Sequence, residues 1–84
     1  MANVLYFASL RETLDLGREQ LDLPENVTNI FELKNMLAQR GGSWSAAFTN
    51  TTSLLVSINQ QMANDQSDIS NADEIAFFPP VTGG

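Results

Sequence analysis

The sequence predicts an α+β roll, a mixed sheet with one main helix packed on it and a short C-terminal tail. Three observations carry that expectation. Strand-like segments open and close the chain, and both are apolar on both faces, as expected of buried parallel neighbours. Between them, Asn29 followed by Glu32 has capping-box spacing, and Ile30, Leu33 and Leu37 recur at helical intervals. The order of elements reads strand, strand, helix, short helix, strand, short strand, strand.

Asn3-Val4-Leu5-Tyr6-Phe7-Ala8 is rich in β-branched and aromatic residues and too short for a typical helix. Its period of two puts Val4, Tyr6 and Ala8 on one face and Leu5 and Phe7 on the other. The polar stretch from Ser9 to Arg18 reads as a turn. Glu19-Gln20-Leu21-Asp22-Leu23 alternates until Pro24 ends it, the pattern of a half-exposed edge strand. A helix follows from Val27 or Asn29 to about Arg40, where Gly41-Gly42 can adopt the left-handed conformation that closes helices. Ser43 to Phe48 forms a short second helix with Trp44, Ala47 and Phe48 facing inward, as core residues without a further role. Leu54 to Ile58 is the next strand, and Asn59-Gln60 turns into a short segment at Gln61-Met62-Ala63. Glu74 to Phe78 is the last strand, ended by Pro79-Pro80, neither of which can donate to a sheet ladder.

With 84 residues, the chain is one domain, burying roughly 60–65% of the surface its unfolded form exposes. The roll occupies residues 1–78 and the tail residues 79–84. There is no cysteine and no histidine. That excludes a disulfide framework, a thiolate nucleophile, a cysteine zinc site and any Ser-His-Asp arrangement. Self-contained catalysis is therefore not expected. Four Lys and Arg stand against ten Asp and Glu, a net charge of −6. Lys34 is the only lysine, and Arg11, Arg18 and Arg40 are scattered, so neither nucleic acid nor an anionic membrane is a natural partner. No long apolar run or basic leader is visible, and the cytoplasm is the default location. Asp73 and Glu74 might suggest paired carboxylates, but adjacent strand residues point to opposite faces, and a solvated turn is the simpler reading.

The chemistry lies in Pro79-Pro80-Val81-Thr82-Gly83-Gly84. A terminal Gly-Gly arises by chance in about 0.5% of chains, so its meaning depends on the residues before it. Two residues without side chains can thread a carboxylate down a channel that any Cβ would block. The prolines would stiffen the base of such a tail. An ionised α-carboxylate is a poor electrophile and must be activated, most simply as a mixed anhydride with AMP. The chain has no phosphate-cradling glycine-rich loop, so ATP is bound by another protein and the tail is a substrate. The tail should be disordered until docked, because Thr82-Gly83-Gly84 can bury almost no apolar surface.

Asp73-Glu74-Ile75-Ala76-Phe77-Phe78-Pro79-Pro80-Val81-Thr82-Gly83-Gly84 resembles the C-terminal signature of the MoaD family, the small subunits of molybdopterin synthase. Val4 to Glu12 is similar to that family's first strand and turn, and Ile58-Asn59-Gln60 to its middle motif. Ala72 stands where the family often has glycine, and Thr13 to Arg18 looks longer than usual. The resemblance implies a β-grasp, or ubiquitin-like, fold with the first and last strands parallel at the middle of the sheet. It also implies that an adenylating enzyme related to ubiquitin-activating enzymes activates Gly84. A sulfur donor system then converts the carboxylate to a thiocarboxylate, and Gly83-Gly84 enters the large subunit to donate sulfur to a cyclic pterin precursor. The family assembles as a heterotetramer of two small and two large subunits.

Phe7 and Phe78 would be neighbours if the outer strands pair. They form either a second small core under a loop or an exposed patch that docks partners, joined by Leu5, Met62 and Ala76. The resemblance favours docking for Phe7, Met62 and Phe78, with Pro79, Pro80, Val81 and Thr82 continuing into the interface. Arg11 is either a solvated turn residue or, matching the family's Leu-Arg-Glu, the donor of a rim salt bridge. Sulfur carriers for thiamine or transfer-RNA thiolation, and a protein modifier forming isopeptide bonds, share the Gly-Gly ending. The absence of cysteine removes one internal nucleophile that could divert the activated Gly84 carbonyl.

Overall fold

The computed structural model describes residues 1–49 and 54–79. The elements are β1 (Ala2–Tyr6), α1 (Ala8–Leu14), β2 (Arg18–Leu21), α2 (Ile30–Ala38), α3 (Gly42–Thr49), β3 (Leu55–Ile58), β4 (Gln61–Ala63) and β5 (Glu74–Phe78). The sheet order is β2-β1-β5-β3-β4. β1 and β5 run parallel, with Val4 opposite Ile75 and Leu5 opposite Ala76, and the other pairings are antiparallel. The most apolar strands therefore lie inside the sheet, while the alternating β2 takes an edge.

The inner sheet face carries Val4, Tyr6, Ile75, Phe77 and Val56. These pack with Ile30, Leu33 and Leu37 of α2 and Phe48 of α3 in one core. Full burial of each large side chain contributes about 1.5–3 kcal/mol. Phe77 sits in an aromatic group, its ring 5.2 Å from Phe48 and 6.3 Å from Tyr6. Trp44 is only half-buried, since its ring meets Tyr6 edge-on at 5.3 Å while the Arg40 guanidinium covers it at 4.3 Å. Amphipathic side chains often close a core in this way.

Arg40 also donates two hydrogen bonds to the Glu19 carboxylate at 2.8 and 2.9 Å, and the Tyr6 hydroxyl donates a third at 2.8 Å. This network ties the β2 edge to the end of α2. Burial by itself would raise the Glu19 carboxyl. The hydrogen bonds from Arg40 and Tyr6 and the Arg40 charge outweigh it and hold the group below its ordinary value. Burial, then the bond to Glu19, pushes the Tyr6 hydroxyl well above the usual phenol range.

Asn29 caps α2, its side chain accepting the Glu32 N–H at 2.9 Å. The reciprocal arm reaches one residue further than a capping box, with the Glu32 carboxylate accepting the Thr28 N–H at 2.8 Å and its hydroxyl at 2.9 Å. These bonds, the backbone one first, hold the Glu32 carboxyl low. The first helical N–H groups, which lack intrahelical partners, donate to the Ser67 and Asp65 carbonyls from Ile30 and Phe31. Gly41 closes the helix with φ 81°.

Two expectations need correction. The stretch after Phe7 is not a plain turn, because Ala8 to Leu14 forms α1 and buries Leu10 and Leu14. Ala8 accordingly leaves the strand, with φ 55°, and Asp15 ends α1 in the left-handed conformation. The residues after Thr13 thus finish a helix and make the bend at Gly17. Ala72 causes no comparable difficulty, since it is not among the residues with positive φ, and alanine suits its turn.

Candidate functional site

Alternation along β5 sends Ile75 and Phe77 inward and Glu74, Ala76 and Phe78 to the opposite face. Register then builds that outer face. Leu5, Ala76, Ser57 and Met62 follow one another across four strands, and Leu55 stands opposite Phe78 in the next row. Phe7 continues the direction of Leu5 beyond the end of β1, its N–H bonded to the Phe77 carbonyl at 3.1 Å. Its ring meets Phe78 edge-on with centroids 6.5 Å apart.

Phe7 is 46% exposed, Met62 63% and Leu55 36%, while Leu5 and Phe78 are half-buried. Among the described residues no element covers this face, and none forms a loop over Phe7 and Phe78. Ala76, by contrast, is buried between its neighbours and contributes little surface. Leu55 belongs to the apolar row although the sequence did not single it out. In Leu54-Leu55-Val56 apolar residues occupy both parities, and only the pairing with Phe78 shows which one faces out.

The opposite end of the same face is polar, with Asn3, Gln20 and Glu74 in register. Asn59 organises that end. Its backbone and side chain bond Glu74 at 2.8 and 2.9 Å, and its amide donates to the Asp73 carboxylate at 2.9 Å. Asn59 and Gln60 have φ 51° and 70°, the left-handed pair that a tight two-residue hairpin requires. Asp73 also accepts the Ser70 N–H at 2.8 Å. Its carboxylate is thus a turn-former, as the solvated-turn reading requires. Among the described residues no cluster of acidic side chains could hold a metal.

Arg11 lies exposed on α1, its N–H bonded to the Phe7 carbonyl at 3.3 Å. It forms no ion pair among the described residues, where the pairs are Lys34–Asp65 and Arg40–Glu19. Its guanidinium lies against Gly17, where an added Cβ would come within 2.9 Å of Nε. Pro79 is half-buried at the end of β5. Pro80, Val81, Thr82, Gly83 and Gly84 lie outside the described residues, as does the expectation about their order. The structure therefore gathers Phe7, Phe78 and Met62 on one face, with Leu55 added, and sets Arg11 on the helix that starts after Phe7.

Residues 4–84 match the ThiS family. The chain belongs to that family. The molybdopterin synthase sulfur carrier subunit of Haemophilus influenzae is 43% identical over 84 residues, covering the whole of both chains. The corresponding Escherichia coli subunit is 32% identical over the same full span. Among solved structures, SAMP1 from Haloferax volcanii matches with TM-score 0.77 at 23% identity, over 99% of this chain and 98% of that one. The complex of subunits 1 and 2 of molybdopterin-converting factor from Helicobacter pylori contains a chain with TM-score 0.64 at 19% identity, with 99% and 97% coverage. These last two likenesses establish the ubiquitin-like β-grasp fold. Membership of the ThiS family and the two full-length relatives bear out the resemblance drawn from the tail. Among the described residues no helix is long and apolar enough to cross a membrane.

Proposed function

We propose that this ThiS-family chain is the sulfur carrier subunit of a molybdopterin synthase in molybdenum cofactor biosynthesis. Full-length identity to sulfur carrier subunits is the observation that carries the reading. An adenylating enzyme binds ATP and joins AMP to the Gly84 carboxylate with release of pyrophosphate, and sulfide-level sulfur from a donor system displaces AMP to leave a thiocarboxylate. The chain itself binds no cofactor. Thiocarboxylate sulfur is softer and more nucleophilic than the oxygen it replaces, and it is donated to the cyclic pterin precursor in the large subunit, after which Gly84 is recharged. The chain is a donor within the complex and supplies no catalytic group. The cytoplasm, with its ATP supply, is the setting this cycle requires.

Phe7, Leu55, Met62 and Phe78 form the docking face for the large subunit and the adenylating enzyme. Desolvating exposed aromatic and methionine side chains gives such a face its affinity, and Arg11 supplies a salt bridge at the rim. Pro79 to Thr82 lead from this face into the partner, so docking also aims Gly83-Gly84.

Deleting Gly83 and Gly84 tests the reading in a reconstituted system with large subunit, adenylating enzyme, ATP, sulfur source and precursor. The shortened chain should still bind the large subunit and should give no dithiolene product. Undiminished product formation would overturn the assignment.

A further inference from the structure

Activation of Gly84 creates a hazard that the structure addresses at Lys34. An acyl adenylate reacts with any accessible amine. The amine lone pair attacks the Gly84 carbonyl carbon, a C–N bond forms, the C–O bond to AMP breaks, AMP leaves with the electron pair, and the amine's surplus proton passes to solvent. The product is a second copy of the chain joined through an amide, and its sulfur-carrying end is lost. Lysine is among the commonest residues of an average chain and normally lies at the surface.

This chain has one lysine, and among the described residues it is the only charged one in the core. Lys34 is 4% exposed, between Leu33 and Leu37 on the buried face of α2. Its Nζ is bound to the Asp65 carboxylate at 2.7 Å. Only 5% of the Lys34 side chain is exposed, and its Nζ is held by an Asp65 carboxylate that is 39% exposed, so little of the amine is open to a carbonyl carbon.

We propose that burying Lys34 withholds the chain's one lysine side chain as an acceptor of its own activated tail. The inference rests on the carrier reading. It adds that the chain's own lysine is withheld as an acceptor, so copies do not become joined end to side while Gly84 is adenylated.

The test compares Lys34 with a lysine introduced at an exposed site, Gln39→Lys, at the end of α2 where a cation is favourable. The folded chains are first treated with an activated acetate ester, and acetylation is mapped by peptide mass. Lys34 should react at least about tenfold more slowly than the introduced lysine, because reaction requires local opening. Equal rates would overturn the sequestration. The chains are then incubated with the adenylating enzyme and ATP without a sulfur source. The Gln39→Lys chain should give covalent dimers linked at the new lysine, and the unaltered chain should give no Gly84–Lys34 amide. Either a Gly84–Lys34 amide, or an absence of dimers from Gln39→Lys while hydroxylamine captures the adenylate as a hydroxamate, would overturn the proposal. Absence of the hydroxamate would instead overturn the carrier reading, and with it the need for shielding; the acetylation rates separate that failure from a failure of sequestration.

Discussion

The two faces of this sheet are built from the same two central strands, and both carry large apolar side chains, yet among the described residues only one is covered. On the inner face Tyr6 and Phe77 are almost fully buried beneath α2 and α3. On the outer face Phe7, Leu55 and Met62 remain in contact with solvent, although each is as hydrophobic as its inner counterpart. The difference teaches that β-strand alternation assigns a residue to a face, whereas helices and partners decide whether that face is core or interface. In a chain of this size the uncovered face represents apolar surface withheld from folding and left available for binding.

Substitutions should separate the two faces. Phe77→Ala, in the centre of the aromatic group, should lower unfolding free energy by about 3–5 kcal/mol, measured as a shift in urea midpoint. Met62→Ala should change stability by no more than about 0.5 kcal/mol. It should nevertheless weaken binding to the large subunit by about tenfold or more, which calorimetric titration would show. A Met62→Ala chain with unchanged affinity would remove that residue from the docking face. A large loss of stability would show that the outer face belongs to the core after all.

The edge of the inner face offers a smaller effect with a defined pH dependence. Glu19 is held below its ordinary carboxyl value of 4.5 in the folded chain. Its contribution to stability is therefore complete above that value and is lost as pH falls through the folded value. Urea midpoints should decline on acidification below about pH 4.5, where the unfolded carboxyl takes up its proton. Glu19→Gln should make that decline shallower, and it should cost about 1–2 kcal/mol at neutral pH by weakening the bonds from Arg40 and Tyr6. The smallest effect is expected where the chain passes from Phe7 into α1. Ala8 has φ 55°, so Ala8→Gly should stabilise the chain by about 0.5–1 kcal/mol through relief of that conformation.

The same contrast explains what was legible in the sequence. The inner face was readable because Asn29, Glu32 and the Ile30, Leu33, Leu37 spacing mark one helix, and because β5 begins and ends where its pattern does, at Glu74 and Phe78. Phe7 and Phe78 were readable as neighbours once β1 and β5 were taken to be parallel. α1 was not. Leu10 and Leu14 have helical spacing, but Phe7 provides no side-chain cap, and the helix begins at an alanine with positive φ. The place of Leu55 depended on register, which three consecutive apolar residues do not encode. Lys34 could be counted from the sequence, but its burial follows from the face of α2 it shares with Leu33 and Leu37 and from the approach of Asp65 across 31 residues.

The most direct measurement of the central claim is the intact mass of the chain after incubation with its adenylating enzyme, ATP and a sulfur source. The mass should rise by the exchange of one oxygen for one sulfur, with the change confined to the peptide ending in Gly84 and reversed when large subunit and pterin precursor are added. An unchanged mass, or sulfur carried anywhere other than Gly84, would contradict the account.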